Sequence, residues 1–374
     1  MTTTKNNEHK KLNVPNLRFP EFQGEWKKTT IGDIADLYKG TGISKDQLSD
    51  DGEPCILYGE LYTKYKSETI REVISKTNID NTKLVRSKAN DVIIPCSGET
   101  AEDIATARCV LNGNILLGGD LNIIRLHGYD GAFMSYQLNG RRKYDIAKVA
   151  QGVSVVHLYG EHLKGVKTIN PCLEEQKKIA KLLSLLDERI ATQNKIIDKL
   201  QSLIKGIADK LFQTARTTKP LLEFAPNITS GTDKSGSGTI PLYGSTGIIG
   251  TVKNASQKGN IVLVARVGTI GTVQYINEPC GVSDNALIVE AGEMTKYIYH
   301  FLKTYNFARI TSGTTQPLIT ASSLKKAAIP TYDIESQTRI VLCLNGLEKK
   351  LDMAKQYLSE IAVMKQYLLR QMFI

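Results

Sequence analysis

Two stretches of the chain carry apolar residues at alternating steps of four and three. Gln193 interrupts the first series, and Lys365 interrupts the second. This heptad spacing predicts two helices of about 40 residues, each roughly 60 Å long, with one continuous apolar seam. The first seam comprises Ile179, Leu183, Leu186, Ile190, Ile197, Leu200, Ile204, Ile207 and Leu211, and the second Ile340, Leu344, Leu347, Leu351, Leu358, Ile361, Leu368 and Met372.

The two stretches belong to an internal repeat. The segment from Gln151 aligns with the segment from Ser312, an offset of 161 residues that holds without a gap to Phe212 and Phe373. One register over such a length, with the apolar positions also agreeing, indicates a duplication. Because a long apolar seam needs a partner, we expect the two copies to pack as an intramolecular antiparallel coiled coil.

The start of the first helix has its own signals. Asn170 is the predicted N-cap and Pro171 the first helical residue, with Glu174 and Glu175 in the first turn. Pro220 follows the predicted helix end.

The segments 26–150 and 220–311 alternate short β-rich runs with glycine-rich turns, and each is predicted to end in a helix, near 132–150 and 294–311. The fold class is therefore α/β (mixed α+β). It consists of two small α/β domains with strongly bent sheets, separated by the two long helices in a pseudo-two-fold repeat.

Composition adds little that is specific. A formal net charge of +10 favours phosphate backbones or other polyanions. The six cysteines lack metal-ligand spacing and are expected to be reduced. The first residues are polar, and no apolar run is long enough to span a membrane, so we expect a cytoplasmic protein without membrane contact.

Catalytic signatures are missing from the sequence. The loop from Gly231 has Ser237 where a phosphate-binding loop needs lysine, and Asn277 to Cys280 matches an amino-methyltransferase box only in outline. His157 and His162 have no third ligand nearby. We therefore expect no catalytic residue, no metal and no bound cofactor.

Polar and cationic residues in the glycine-rich loops are the candidates for DNA contact. Glycine lets backbone amides approach phosphate, hydroxyl groups bind phosphate oxygens, lysine neutralises charge, and tyrosine packs on sugar or base edges. The candidates are Lys39, Thr41, Tyr62, Lys64, Lys66, Ser97 and Thr100 in the first segment, and Lys234, Tyr243, Ser245, Thr246, Arg266, Thr269, Asn285 and Gln316 in the second.

Three motifs carry a family resemblance. They are the opening Asn13 to Phe22 followed by Trp26, the block Gly313 to Pro317, and Glu335-Ser336-Gln337 leading into the second helix. Duplicated around two long helices, this order resembles the specificity subunits of type I restriction-modification systems over nearly the whole chain. The first copy departs from the pattern, with Val155 in the place of Gln316.

The resemblance implies a non-catalytic subunit that recognises a bipartite, asymmetric site in double-stranded DNA. The helices would set the number of unread bases and dock two methyltransferase subunits, with restriction/translocase subunits joining outside. S-adenosylmethionine, ATP and Mg would belong to those partners. The implied layout is a lead-in (1–25), a first target-recognition domain (26–170), a central helix (171–216), a second target-recognition domain (217–331) and a C-terminal helix (332–374).

Three alternatives remain open on the sequence alone. One is a structural coiled-coil adaptor without DNA specificity. A second is an autonomous methyltransferase or nuclease, which the missing motifs disfavour. The third is a membrane-surface protein, which is disfavoured because the heptad faces should bury each other.

Overall fold

The computed structural model describes residues 13–80, 82–152, 155–313 and 317–374. The chain divides into two compact units. The first unit extends to Gln193 and includes Tyr357–Ile374, and the second is Asn194–Gln356. Each unit therefore contains one globular region together with parts of both long helices.

The described strands of the first unit form a five-stranded sheet, a four-stranded sheet and two strand pairs. Its strands are β1 Lys27–Thr30, β2 Ala35–Lys39, β3 Leu48–Ser49, β4 Glu53–Ile56, β5 Thr69–Ile70, β6 Ser75–Thr77, β7 Asp91–Pro95, β8 Ser97–Gly98, β9 Arg108–Val110, β10 Leu116–Leu117, β11 Leu121–Leu126, β12 Val156–His157 and β13 Lys167–Asn170. Its helices are α1 Ile31–Ile34, α2 Glu60–Thr63, α3 Ala101–Ile104, α4 Gly131–Asn139, α5 Lys143–Val149, α6 Gly160–Lys164 and the beginning of α7 Leu173–Gln213.

The central sheet of this unit has the order β2-β11-β7-β9-β5, and a second sheet has the order β10-β4-β6-β3. Every residue of β7 is buried, as expected for a β-branched run with core on both faces. One core contains Trp26, Phe133 and Tyr136 together with residues of both long helices, and another contains Ile93 and Ile123.

The two ends of the first globular region are joined. β1 pairs antiparallel with β13, so that Lys27 lies opposite Asn170. The predicted N-cap at Asn170 is therefore wrong, because the residue belongs to a strand and its side-chain amide donates to the hydroxyl oxygens of Thr29 and Thr168. The long helix begins three residues later, at Leu173, with both glutamates in its first turn as predicted.

The helix predicted near 132–150 is interrupted. It divides into α4 and α5 at Gly140, whose φ of −92° and ψ of −105° are not helical. The buried face of α4 packs on the sheet and on the long helices, and Phe133 stacks on Phe373 with ring centroids 5.1 Å apart.

In the first unit the two long helices run antiparallel. Ile179 and Leu183 share a core with Leu368 and Met372. Further along the first helix, Arg189 Nε donates to the hydroxyl of Tyr357 at 3.2 Å. Because later residues of one helix meet earlier residues of the other, the pairing has the predicted direction.

The second unit repeats the plan with a smaller sheet. Its strands are β14 Thr217–Pro220, β15 Thr229–Ser230, β16 Ile240–Tyr243, β17 Ile248–Val252, β18 Ile261–Ala265, β19 Val273–Ile276, β20 Gly281–Val282, β21 Ala286–Val289, β22 Thr311–Ser312, β23 Leu318–Ile319 and β24 Ala328–Thr331. Its helices are α8 Thr295–Leu302, α9 Ala321–Lys325 and α10 Ile334–Gln371, the last of which reaches beyond the unit.

Here the main sheet has the order β15-β21-β18-β19, and β14 pairs antiparallel with β24 as β1 does with β13. The helix predicted over 294–311 ends at Leu302 and is followed by a short 3₁₀ turn, Phe307–Arg309. Phe212, at the end of α7, packs edge-on against Tyr297 and Phe301, while Ala208 shares that core with Leu344. Just before α10 begins, the Tyr332 hydroxyl donates to the carbonyl oxygen of Leu211. The start of α10 therefore lies beside the end of α7, so the helix segments of this unit are antiparallel as well.

The offset found in the sequence also relates the elements. Adding 161 to the bounds of β13 and α6 yields those of β24 and α9, and adding it to the start of α7 yields that of α10. All residues of the two predicted seams are buried or half-buried, as are the polar residues that interrupt them, Gln193 and Lys365.

Candidate nucleic-acid interface

Strand direction places several candidates at one edge of the first unit's sheet. β2 and β7 are both antiparallel to β11, so their carboxyl ends lie at the same edge. Lys39 ends β2 opposite Asn122, and Pro95 ends β7 opposite Leu121. The segments that follow, with Thr41 on one side and Ser97, the first residue of β8, on the other, therefore start next to each other.

A close backbone approach shapes this edge. Gly40 N donates to Leu121 O at 2.9 Å, and Thr41 N donates to Leu117 O at 3.1 Å. A Cβ on Gly40 would lie 2.0 Å from the carbonyl oxygen of Gly118, so only glycine fits there. The side chains of Lys39 and Thr41 are exposed on either side of this contact. Lys39 belongs to the strand itself and not to a turn.

Helix α2 contributes Tyr62 to the same edge. Its hydroxyl donates to the carbonyl oxygen of Ser97 at 3.3 Å. Burial raises the pKa of Tyr62, so the phenol keeps its proton and acts as a hydrogen-bond donor. The Lys66 ammonium, in the next turn, donates to the carbonyl oxygen of Tyr62 at 2.8 Å and is exposed.

Two further candidates in this unit serve the domain itself. Lys64 Nζ lies 2.6 Å from the buried carboxylate of Glu60. It therefore neutralises a charge within the domain. Thr100 caps α3, accepting from Asp103 N at 3.1 Å and donating to the Asp103 carboxylate at 2.7 Å.

A cavity of about 550 Å³ opens beside these residues. Its lining includes Tyr58, Tyr62, Ser97, Glu99 and Asp103. Tyr58, Glu99 and Asp103 are not among the contact residues predicted from the sequence. For Glu99 the signal in the sequence is its position two residues after Ser97, a predicted contact residue.

The second unit has the equivalent edge. β15 and β18 are both antiparallel to β21, so their carboxyl ends lie together. Gly231 N donates to Ala286 O at 3.1 Å, and Arg266 N donates to Asn285 O at 3.0 Å. The loops that continue from these strands carry Lys234 and Thr269, whose side chains are exposed.

The end of β16 and the loop after it are hydrogen-bonded to the segment before β21 and to β19. Ser283 N donates to Tyr243 O at 2.9 Å, and the Gln274 amide donates to the carbonyl oxygens of Gly244 and Ser245. Burial and the carboxylate of Glu278 raise the pKa of Tyr243 to about 12. Thr246 follows with an exposed side chain.

A short strand pair adjoins each edge. In the first unit β12 pairs with β8, and Leu158 N donates to Cys96 O at 2.8 Å. In the second unit β22 pairs with β23, and Ile319 N donates to Arg266 O at 3.0 Å. Gln316 lies outside the described residues. Thus most of the predicted contact residues of each unit lie near one edge of its main sheet. The backbone hydrogen bonds at the two edges follow the same pattern.

In the part of the chain that the structure describes, no three His, Cys, Asp or Glu side chains are grouped as a metal would require. The six cysteines are free thiols, four of them buried. None of the described helices has both the length and the apolar character needed to cross a bilayer.

The model of the type I restriction modification DNA specificity domain matches this chain twice, over residues 23–202 and 218–363. The chain belongs to that family.

Two specificity subunits are similar in sequence to part of this chain. It is 29% identical over 197 residues to the type I restriction enzyme MjaVIII specificity subunit of Methanocaldococcus jannaschii, covering 52% of this chain and 43% of that one. It is 26% identical over 232 residues to the putative MjaX specificity subunit of the same organism, covering 54% and 49%. The chain thus spans about half the length of these relatives.

Solved structures show the same fold. The S subunit of a type I restriction-modification system from M. genitalium matches with a TM-score of 0.70 at 21% identity, covering 96% of this chain and 99% of that one. A chain from a structure on complex assembly and conformational transition of the type I R-M system matches with a TM-score of 0.54 at 14% identity, covering 93% and 97%. These likenesses support the two-domain arrangement of the specificity-subunit fold.

Proposed function

We propose that this chain recognises a bipartite, asymmetric sequence in double-stranded DNA as the specificity subunit of a type I restriction-modification complex, and catalyses no reaction itself. The observation that carries the proposal is the repeated sheet edge. The same pattern of backbone hydrogen bonds occurs in both units but presents different side chains at equivalent positions, Lys39 and Cys96 in one and Ser230 and Arg266 in the other. Two similar frames with different side chains favour two different half-sites.

The partners follow from the family. Two methyltransferase subunits would bind along the long helices and bring S-adenosylmethionine, and restriction/translocase subunits with ATP and Mg would join them in the cytoplasm. Outside their seams the helices expose large apolar side chains, among them Leu185, Leu203, Met353 and Val363.

The decisive experiment maps methylated adenines across the genome of cells that express this chain with its methyltransferase. We expect one bipartite, non-palindromic motif. Replacing residues 26–150 by those of a related protein should change one half of the motif and leave the other intact. A change in both halves would contradict independent recognition by the two domains.

The same assay tests the role of the long helix. If the length of α7 determines the spacing of the half-sites, an insertion of four residues within it should change the number of unread bases. An unchanged spacer would refute this part of the proposal. A reconstituted complex that retains DNA without sequence preference would favour the coiled-coil adaptor instead.

A further inference from the structure

Arg266 differs from the other half-buried arginines of the described residues. Arg18 and Arg125 form two-atom contacts with carboxylates, and Arg108 donates to backbone carbonyl oxygens. The Nε atoms of Arg266 and Arg142 are both buried without a hydrogen-bond partner, but Arg142 also donates to Asp145 and to the carbonyl oxygen of Ile374. Within the described part of the chain, the Arg266 guanidinium forms neither a hydrogen bond nor an ion pair. A partly desolvated cation without a partner is costly, so its retention suggests a ligand.

The backbone around Arg266 is held on both sides. Its amide donates to Asn285 O and its carbonyl accepts from Ile319 N, both at 3.0 Å. Beyond it the chain turns back sharply, with positive φ at Gly268 and Gly271 and a hydrogen bond from Gly271 N to Ala265 O. The side chain therefore projects from the fixed end of a central strand, which suits precise recognition better than a loop does.

The first unit has a thiol at the corresponding backbone position. Cys96 N donates to Asp120 O at 2.7 Å, and Cys96 O accepts from Leu158 N at 2.8 Å. Each amide thus bonds to the residue that precedes the adjacent strand, and each carbonyl accepts from the neighbouring strand pair. Burial raises the pKa of the Cys96 thiol to about 11, so this side chain is neutral. The two edges therefore present different chemistry at the same place.

Guanidinium geometry indicates what Arg266 would bind. Its planar donors match the adjacent O6 and N7 acceptors of guanine in the major groove, the commonest base-specific contact of arginine. Phosphates can be neutralised by exposed, flexible cations such as Lys234, which need no fixed frame. We propose that Arg266 recognises a guanine in the half-site bound by the second unit. This inference rests on the proposed function and assigns one position of its target.

The test uses the assembled complex with its methyltransferase. The wild-type motif is first determined by methylated-adenine mapping, and its two halves are assigned by the exchange of residues 26–150. Arg266→Lys and Arg266→Ala are then mapped in the same way. Arg309→Lys is the matched control, because Arg309 is an exposed arginine of the same unit in the 3₁₀ turn.

We expect both Arg266 variants to lose preference at a single guanine of the second half-site, with the first half-site and the spacer unchanged. Binding assays should show discrimination against a substituted base at that position falling about 10- to 100-fold. The control should keep the wild-type motif. Thermal unfolding and co-purification with the methyltransferase establish that each variant is folded, and the lysine variant keeps the charge if the alanine variant is unstable.

Three results would overturn the guanine assignment. The first is a second half-site that contains no guanine. The second is an Arg266→Lys variant that keeps full discrimination at every position. The third is a uniform loss of affinity with a weaker salt dependence, which would identify a phosphate contact. By contrast, a wild-type complex that methylates no bipartite site would contradict the proposed function itself.

Discussion

Lys365 is a charged residue in an apolar seam, and replacing it tests what it stabilises. Its ammonium lies 2.6 Å from Glu68 and 2.5 Å from Asp187. Lys365 is only 9% exposed and Asp187 8%. The Tyr136 hydroxyl donates to the same Asp187 carboxylate at 2.6 Å. Because these residues come from three helices and from the loop before β5, the cluster connects the globular region of the first unit to both long helices.

The substitution Lys365→Met keeps an unbranched side chain of similar length and removes the charge. It leaves the buried carboxylates of Glu68 and Asp187 close together without their cation. Removing one partner of a buried ion pair typically costs 3–5 kcal/mol, and the hydrogen bonds that remain on Asp187 place our expectation near the lower end, about 3 kcal/mol at pH 8.

The loss should depend on pH with a definite sign. Burial already raises the pKa of Glu68 above its ordinary value of 4.5. In the variant the cation no longer opposes this effect, so the pKa rises further. A carboxyl group with a raised folded-state pKa contributes stability that is present below its unfolded-state pKa and is lost as the pH rises. The destabilisation should therefore shrink toward roughly half between pH 8 and pH 5.

The chain contains its own probe for this experiment. Trp26 is the single tryptophan, and it is buried in the core of the first unit against Phe133. Urea unfolding followed by its fluorescence thus reports on that unit. Lys181→Met, on an exposed face of the same unit, should change stability by less than about 0.5 kcal/mol. A loss below about 1 kcal/mol at pH 8, or a loss that grows as the pH falls, would refute the reasoning.

Three further outcomes can be measured by urea or thermal unfolding. Gly40→Ala should destabilise by more than about 2 kcal/mol, because its Cβ would lie 2.0 Å from a backbone carbonyl oxygen, whereas Gly42→Ala, with open space around it, should be nearly neutral in urea unfolding. Arg18→Ala should cost about 3 kcal/mol, since the carboxylate of Glu175 is fully buried and bound to that guanidinium at 2.7 Å, and Arg18→Lys should recover part of the loss. Burial lowers the pKa of His300 below its ordinary value of 6.5, so the stability that the neutral imidazole contributes is present above pH 6.5 and is lost as the pH falls. His300→Gln should therefore flatten the decline in thermal stability between pH 7 and pH 5. An equally steep decline in the variant would contradict this.

Part of this fold could be predicted from the sequence because buried apolar side chains recur at the regular spacing of a helix or a strand. The heptad seams predicted two long helices, and their common register predicted the duplication and the antiparallel pairing. The short β-rich runs of the two segments predicted strands, and the structure has strands at Asp91–Pro95 and Ile261–Ala265 within those segments. These features depend on residues close in the chain, where the spacing of apolar side chains is set by the helix or strand itself.

Other features were decided only by tertiary structure. Asn170 has the chemistry of an N-cap but lies in a strand, because Lys27, far away in the chain, pairs with it. Glu68, Asp187 and Lys365 form one cluster although nothing in their neighbouring residues indicates it. The equivalence of Cys96 and Arg266 lies outside the repeat offset of 161 residues, and the backbone hydrogen bonds of the two residues establish it. The spacing of apolar residues predicts which face of a helix or strand is buried. It does not predict what packs against that face, because the packing partner is distant in the chain and is determined by the fold of the whole unit.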